Sequence, residues 1–171
     1  MIPILLLAFP HKAQSLFVGG VQSYYDWKSQ GYISRKSLKL KIKPGSAIAF
    51  SELVGSEDGL VCILFSNEFL VHYENEEAVS KINQFLQKHY YVMHNNEWAL
   101  LYLKDDDVKA ARYTRHDDLE VLDLRQDPNK DSYELPEGFT PVQCAPVKEA
   151  SLFKTKNSAV LLGKQEEAWV W

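Results

Sequence analysis

The sequence predicts an α+β fold: a mainly antiparallel β-sheet, a meander plus a hairpin, with one helix packed on it. Three observations carry that expectation. Short runs of period-two alternation or unbroken apolar character recur between turn signals from residue 37 to residue 124. One stretch, 75–89, has instead the 3.6-residue periodicity of a helix, with charges suited to the helix dipole at its ends. Hydrophobic residues make up 46% and aromatic residues 12% of the 171 residues, enough to bury a core at a length typical of one domain. A single domain spanning 1–171 is expected.

Residues 2–9 are almost wholly apolar. No basic residue precedes them and no small-residue cleavage site follows before Lys12, so they read as a buried first strand rather than a secretory signal. The run is too short to span a bilayer as a helix, and the chain reads as soluble, without a membrane partner. Residues 14–30 fit a helix presenting Leu16, Phe17, Gly20, Val21, Tyr24 and Trp27, or a hairpin turning at Gly19-Gly20. The spacing favours the helix.

Residues 37–43 alternate, with Leu38, Leu40 and Ile42 against Lys39, Lys41 and Lys43, as in a half-buried strand. Pro44-Gly45 is a turn pair. Strands are expected at 47–54, 60–65 and 69–73, the second of them central because it is apolar throughout. Asn75 caps the helix at 75–89, whose inner stripe is Ala78, Val79, Ile82, Phe85, Leu86 and His89. Strands at 90–94 and 97–103 follow, joined by Asn95-Asn96. Asp105 to Asp107 is expected to break the sheet and to start a short helix through Ala110, Ala111 and Tyr113. A strand at 119–124 and a polar loop at 127–132 come next. Pro136, Pro141 and Pro146 confine later strands to short or edge positions. A last strand at 168–171 brings the total to between six and nine.

Chemical motifs are few. There is no glycine-rich phosphate loop, paired-histidine zinc motif, C-x-x-C or nucleophile elbow. Ser151 and Lys154 match S-x-x-K, but their flanks read as strand or loop, so a chance match is the better description. His89 is better placed to cap the helix than to ligate a metal, and His72 sits beside Tyr73 in an expected strand. Asp105 to Asp107, and His116 with Asp117, Asp118, Glu120 and Asp123, are the acidic groupings that offer acid–base or divalent-cation chemistry, the second of them suiting a small hydrolase or a metal-dependent enzyme. No catalytic residue, metal ligand or cofactor is assigned. Cys62, inside an apolar run, reads as a buried small hydrophobe. A pairing with Cys144 stays open, and the absence of a disulfide framework favours a reducing, cytoplasmic setting.

The net charge of −4 is unevenly spread. Residues 1–51 hold seven Lys or Arg and one Asp, a balance of +6; the remainder balances at −10. Arg35, Lys36, Lys39, Lys41 and Lys43 make a basic surface, and Trp169 and Trp171 share one side of a strand by period two. These seven residues are the candidate partner-binding set. The expected function is a non-catalytic protein-binding domain: a small inhibitor, an immunity-type protein or an accessory subunit, its partner a protein with an acidic surface. The alternative is a nucleic-acid-binding module using the Lys39/Lys41/Lys43 strand face, with Tyr24, Tyr25, Trp27 and Tyr32 for stacking. Lysines on an edge strand also serve simply to block pairing with other chains.

Overall fold

The computed structural model describes residues 33, 38, 41–114, 120–125, 127, 129–157 and 159–165. In chain order its elements are β1 (Ser46–Ala49), helix α1 (Phe50–Val54), β2 (Leu60–Leu64), helix α2 (Glu76–Lys88), β3 (Glu97–Lys104), β4 (Asp107–Thr114), β5 (Glu120–Val121), β6 (Phe139–Pro141), β7 (Cys144–Pro146), β8 (Ala150–Lys154) and β9 (Ala159–Gln165). Single 3-10 turns lie at Lys130–Tyr133 and Val147–Glu149. The expected α+β class with antiparallel sheets is observed. The expected strands at 2–9 and 168–171, the helix or hairpin at 14–30, and His116 lie outside the described residues.

The strands form two sheets. One runs β4-β3-β2-β7, antiparallel throughout. The other runs β1-β8-β9, and the far edge of β9 is shared by β5, parallel at Ala159 and Val160, and β6, antiparallel at Gly163 to Gln165. β2 shows why its sequence is apolar without alternation. Val61 and Ile63 point into a core shared with Leu152, Val160 and Leu162 of the other sheet. Leu60, Cys62 and Leu64 point the opposite way, into a core covered by α2. A strand buried on both faces has no polar side to write.

Helix α2 follows the sequence expectation closely. The Asn75 side chain accepts a hydrogen bond from the Ala78 N–H at 3.1 Å, satisfying one of the helix's unpaired donors. Ile82 and Leu86 are buried against β2 and β3, with Ala78, Val79 and Phe85 partly buried beside them. Beneath the helix β4 presents Val108 and Ala110, whose small size lets the helix approach the sheet. Among the described residues no helix is long and apolar enough to cross a membrane.

Five local expectations are corrected. The described residues of the strand expected at 37–43 depart from it: Leu38 and Lys41 are helical, and the Ile42 N–H donates to Leu38 O at 3.0 Å. Leu38 and Ile42 are both buried, and positions four apart share a side under either period, so the short run could not discriminate. The strand expected at 47–54 ends at Ala49, where α1 turns Phe50 and Leu53 into the inter-sheet core. Residues 69–73 form no strand. The Asn83 side chain bonds both backbone groups of Val71, at 2.9 and 3.1 Å, replacing a ladder. Residues 90–94 form no strand either. The short helix through 105–113 is in fact the β3–β4 hairpin, with Asp105 and Asp106 both at positive φ (49° and 65°) between the paired Lys104 and Asp107. Positive φ at both central residues is the two-residue hairpin pattern, and Asp tolerates it.

Cys62 and Cys144 are joined in a disulfide, directly opposed in the β2–β7 register. Both residues lie in the α2-side core. The reading of Cys62 as a free, inert thiol is thereby corrected, and the pairing with Cys144 that the sequence left open is made. Pro141 and Pro146 end three-residue strands, as the prolines required: β6 at the side of β9, β7 at the edge beside β2.

Candidate interaction face

The end of α2 is built from backbone rules and then departs from them. The Tyr91 N–H donates to Leu86 O at 2.9 Å and the Tyr90 N–H to Gln87 O at 3.2 Å. That pair of bonds is a Schellman motif, with His89 at the cap, Tyr90 at C′ and Tyr91 at C″. The apolar contact that accompanies such motifs is present, the Tyr91 and Phe85 rings lying 5.3 Å apart. His89 caps the helix as expected, its ring 4.6 Å from that of Phe85. The C′ residue must adopt left-handed backbone, which is why glycine usually occupies it. Here it is Tyr90, at φ 53°. Its Cβ makes that conformation costlier by roughly 1–2 kcal/mol. The side chain recovers little of this by burial, since it is 75% exposed.

Among the described residues two further large apolar side chains are exposed, Phe69 at 61% and Val92 at 49%. The loops carrying them are joined. The Asn67 N–H donates to Met93 O at 2.9 Å and the Met93 N–H to Glu68 O at 3.4 Å, so two residues oppose one. Asn67 is left-handed at φ 64°, as the first residue of such a bulge requires. Phe69 and Val92 each stand one residue beyond this pairing. From β4, Arg112 donates through Nη2 to Val92 O at 2.7 Å and places its guanidinium 5.8 Å from the Tyr91 ring centre. Phe69, Tyr90 and Val92 thus project from adjoining loops anchored to the sheet.

Glu68, next to Phe69 in the chain, centres a polar knot. Glu68 Oε2 accepts from the Phe65 N–H at 2.9 Å and from Gln143 Nε2 at 3.0 Å, while Oε1 accepts from Arg125 Nη2 at 2.8 Å. Gln143, buried, accepts from the His72 N–H through Oε1 at 3.0 Å. Arg125 also grips Asp123 through Nε and Nη2, and its guanidinium lies 4.6 Å over the Phe65 ring. Burial alone would raise the Asp123 carboxyl, but the hydrogen bonds and charge of Arg125 hold it below its ordinary value. The hydrogen bonds to Asp123 likewise raise Arg125 further.

Two shallow clefts share the Tyr73–Glu74 wall. One, about 440 Å³, is lined by His72, Arg125, Gln143 and Lys164; the other, about 540 Å³, by Leu60, Lys81, Leu103 and Asp106. Several of their charges are engaged within the fold: Lys81 pairs with Glu77 and Asp106, Arg125 with Glu68 and Asp123. Among the described residues no group of three or more His, Cys, Asp or Glu could hold a metal ion. Ser151 and Lys154 lie on β8, where residues three apart face opposite sides, so the S-x-x-K match brings no serine to a lysine.

Of the candidate binding residues, Lys41 and Lys43 are described and exposed. They do not share a strand face: Lys41 is helical, and the Lys43 carbonyl accepts from Ser46 Oγ across the Pro44–Gly45 turn. Arg35, Lys36, Lys39, Trp169 and Trp171 lie outside the described residues. Sequence reading missed Tyr90, Phe69 and Glu68. One signal was available, a helix ending at His89 with two tyrosines and no glycine after it. No protein-family model, curated protein or solved structure matches the chain.

Proposed function

We propose that the protein is a non-catalytic protein-binding domain, a small inhibitor, an immunity-type protein or an accessory subunit, and that Phe69, Tyr90 and Val92 form its contact face. One observation carries this reading. Tyr90 occupies a left-handed position that glycine would fill at lower cost, and it is turned into solvent rather than into the core. Backbone strain retained without a packing return is a pointer to function. Exposed aromatic anchors are the side chains that dominate protein interfaces. The acidic partner surface expected from the lysines rested on a strand face, and the described Lys41 is helical instead. The buried cystine supports folding in an oxidising compartment rather than the cytoplasm expected from sequence.

The test is recovery of partners from source-cell extract with the full chain, its Tyr90→Gly variant and a control changed at the exposed Glu137. A partner held through this face is recovered equally by wild type and control, and about tenfold less by Tyr90→Gly, as for an aromatic hot spot. Equal recovery by all three removes the reading.

A further inference from the structure

We infer that the two loops act as one recognition element and that Glu68 is the positioning residue that holds them in register. This rests on the binding role just proposed for Tyr90, Phe69 and Val92. Glu68 immediately precedes Phe69 in the chain. Its carboxylate takes three hydrogen bonds from three separate places: the end of β2 at Phe65, Arg125 beyond β5, and Gln143 before β7. Its main-chain carbonyl accepts the Met93 N–H of the second loop, next to Val92. One residue therefore ties the Phe69 loop to both sheets through its side chain, and to the Tyr90–Val92 loop through its backbone. Arg112 holds the second loop from β4 at the Val92 carbonyl, so that loop has its own anchor on the sheet but reaches the first through Glu68 and Asn67.

This wiring has a consequence that a plain packing role lacks. Removing the Glu68 carboxylate frees the first loop directly, and frees the second only through the Asn67–Met93–Glu68 pairing. Exchange at Met93 then reports whether the loops move together, although no side-chain bond to Met93 has been touched. A carboxamide at position 68 keeps one oxygen, able to accept from the Phe65 N–H and Gln143 in place of Oε2, but turns an amino group towards Arg125, and so restores part of the register.

The experiment is amide hydrogen exchange on the full chain of wild type, Glu68→Ala, Glu68→Gln and Glu68→Asp. Glu68→Ala is expected to speed exchange at Phe65, Asn67 and Met93 together by about ten- to a hundredfold, the loss of charge-assisted hydrogen bonds, with Leu100 and Leu101 of β3 unchanged. Glu68→Gln, which keeps the acceptor for Phe65 and Gln143 but not the one for Arg125, should bring Met93 to a rate between those of wild type and Glu68→Ala. Should Glu68→Ala fail to fold, Glu68→Asp, which keeps the charge but not the reach, should raise Phe65 and Met93 together by a smaller factor. Acceleration at Phe65 with Met93 unchanged, in either variant, overturns the inference, as does a Met93 rate that Gln leaves as fast as Ala. The measurement needs no partner. A Tyr90→Gly variant that still captures every partner would remove the binding role while leaving the loop coupling standing.

Discussion

The two flanks of β2 are held in different ways. On one side β3 pairs along the whole strand and continues into β4 through Asp105-Asp106, a turn of neighbours in the chain. On the other side β7 offers three residues, comes from a distant part of the sequence, and is bounded by prolines. There the ladder is reinforced by a cystine, and the adjoining coil by the side chains of Gln143, Asn83 and Glu68. The difference teaches where backbone pairing suffices and where side chains must stand in for it. Left-handed residues other than glycine serve two different ends. At Asp105 and Asp106 the conformation closes a hairpin, and Asp106 also pairs with Lys81 of α2. At Tyr90 the same backbone state closes a helix, and its side chain is left in water.

The largest expected effect breaks the β7 flank. The cystine closes a loop of 82 residues in sequence separation, for which chain entropy gives about 4–5 kcal/mol. Urea unfolding with and without reductant should show a loss of that order. An unchanged midpoint on full reduction would mean that the proline-bounded strand holds without its crosslink.

A smaller effect sharpens the same contrast through pH. The Asp123 carboxyl is held low by Arg125, so its contribution is present above the unfolded carboxylate pKa and is lost as pH falls through the lower folded value. Asp123→Asn should therefore be less stable than wild type at neutral pH, by no more than about 1 kcal/mol for a pair this exposed. The two should converge in acid, below about pH 4. Thermal midpoints from pH 7 to pH 3 measure it, and a gap that widens in acid would contradict the pairing.

What the sequence made legible follows the same division. β2, β3 and α2 could be read because periodicity, length and caps agreed over enough residues to separate period two from 3.6. The Pro44–Gly45 turn could be read because Gly45 takes positive φ. Residues 38–42 and 69–73 could not. The first run is too short for its period to decide, and the second satisfies its backbone on Asn83 and Gln143, residues whose arrival no local pattern announces. The Asp105–Asp106 turn was misread because aspartates also open helices. The Cys62–Cys144 pair was left open for want of the register, which only the β2–β7 pairing supplies. Tyr90 was hidden because it occupies a position usually marked by glycine.

The central claim is that Tyr90 is retained at the expense of stability. Urea denaturation of wild type and Tyr90→Gly tests it most directly. Glycine relieves the left-handed strain and, at a side chain this exposed, gives up little buried area. The variant should be more stable by about 1 kcal/mol with an unchanged dependence on denaturant. A variant that is equally stable or less stable would show that the Tyr90 side chain supports the fold, and would contradict the account.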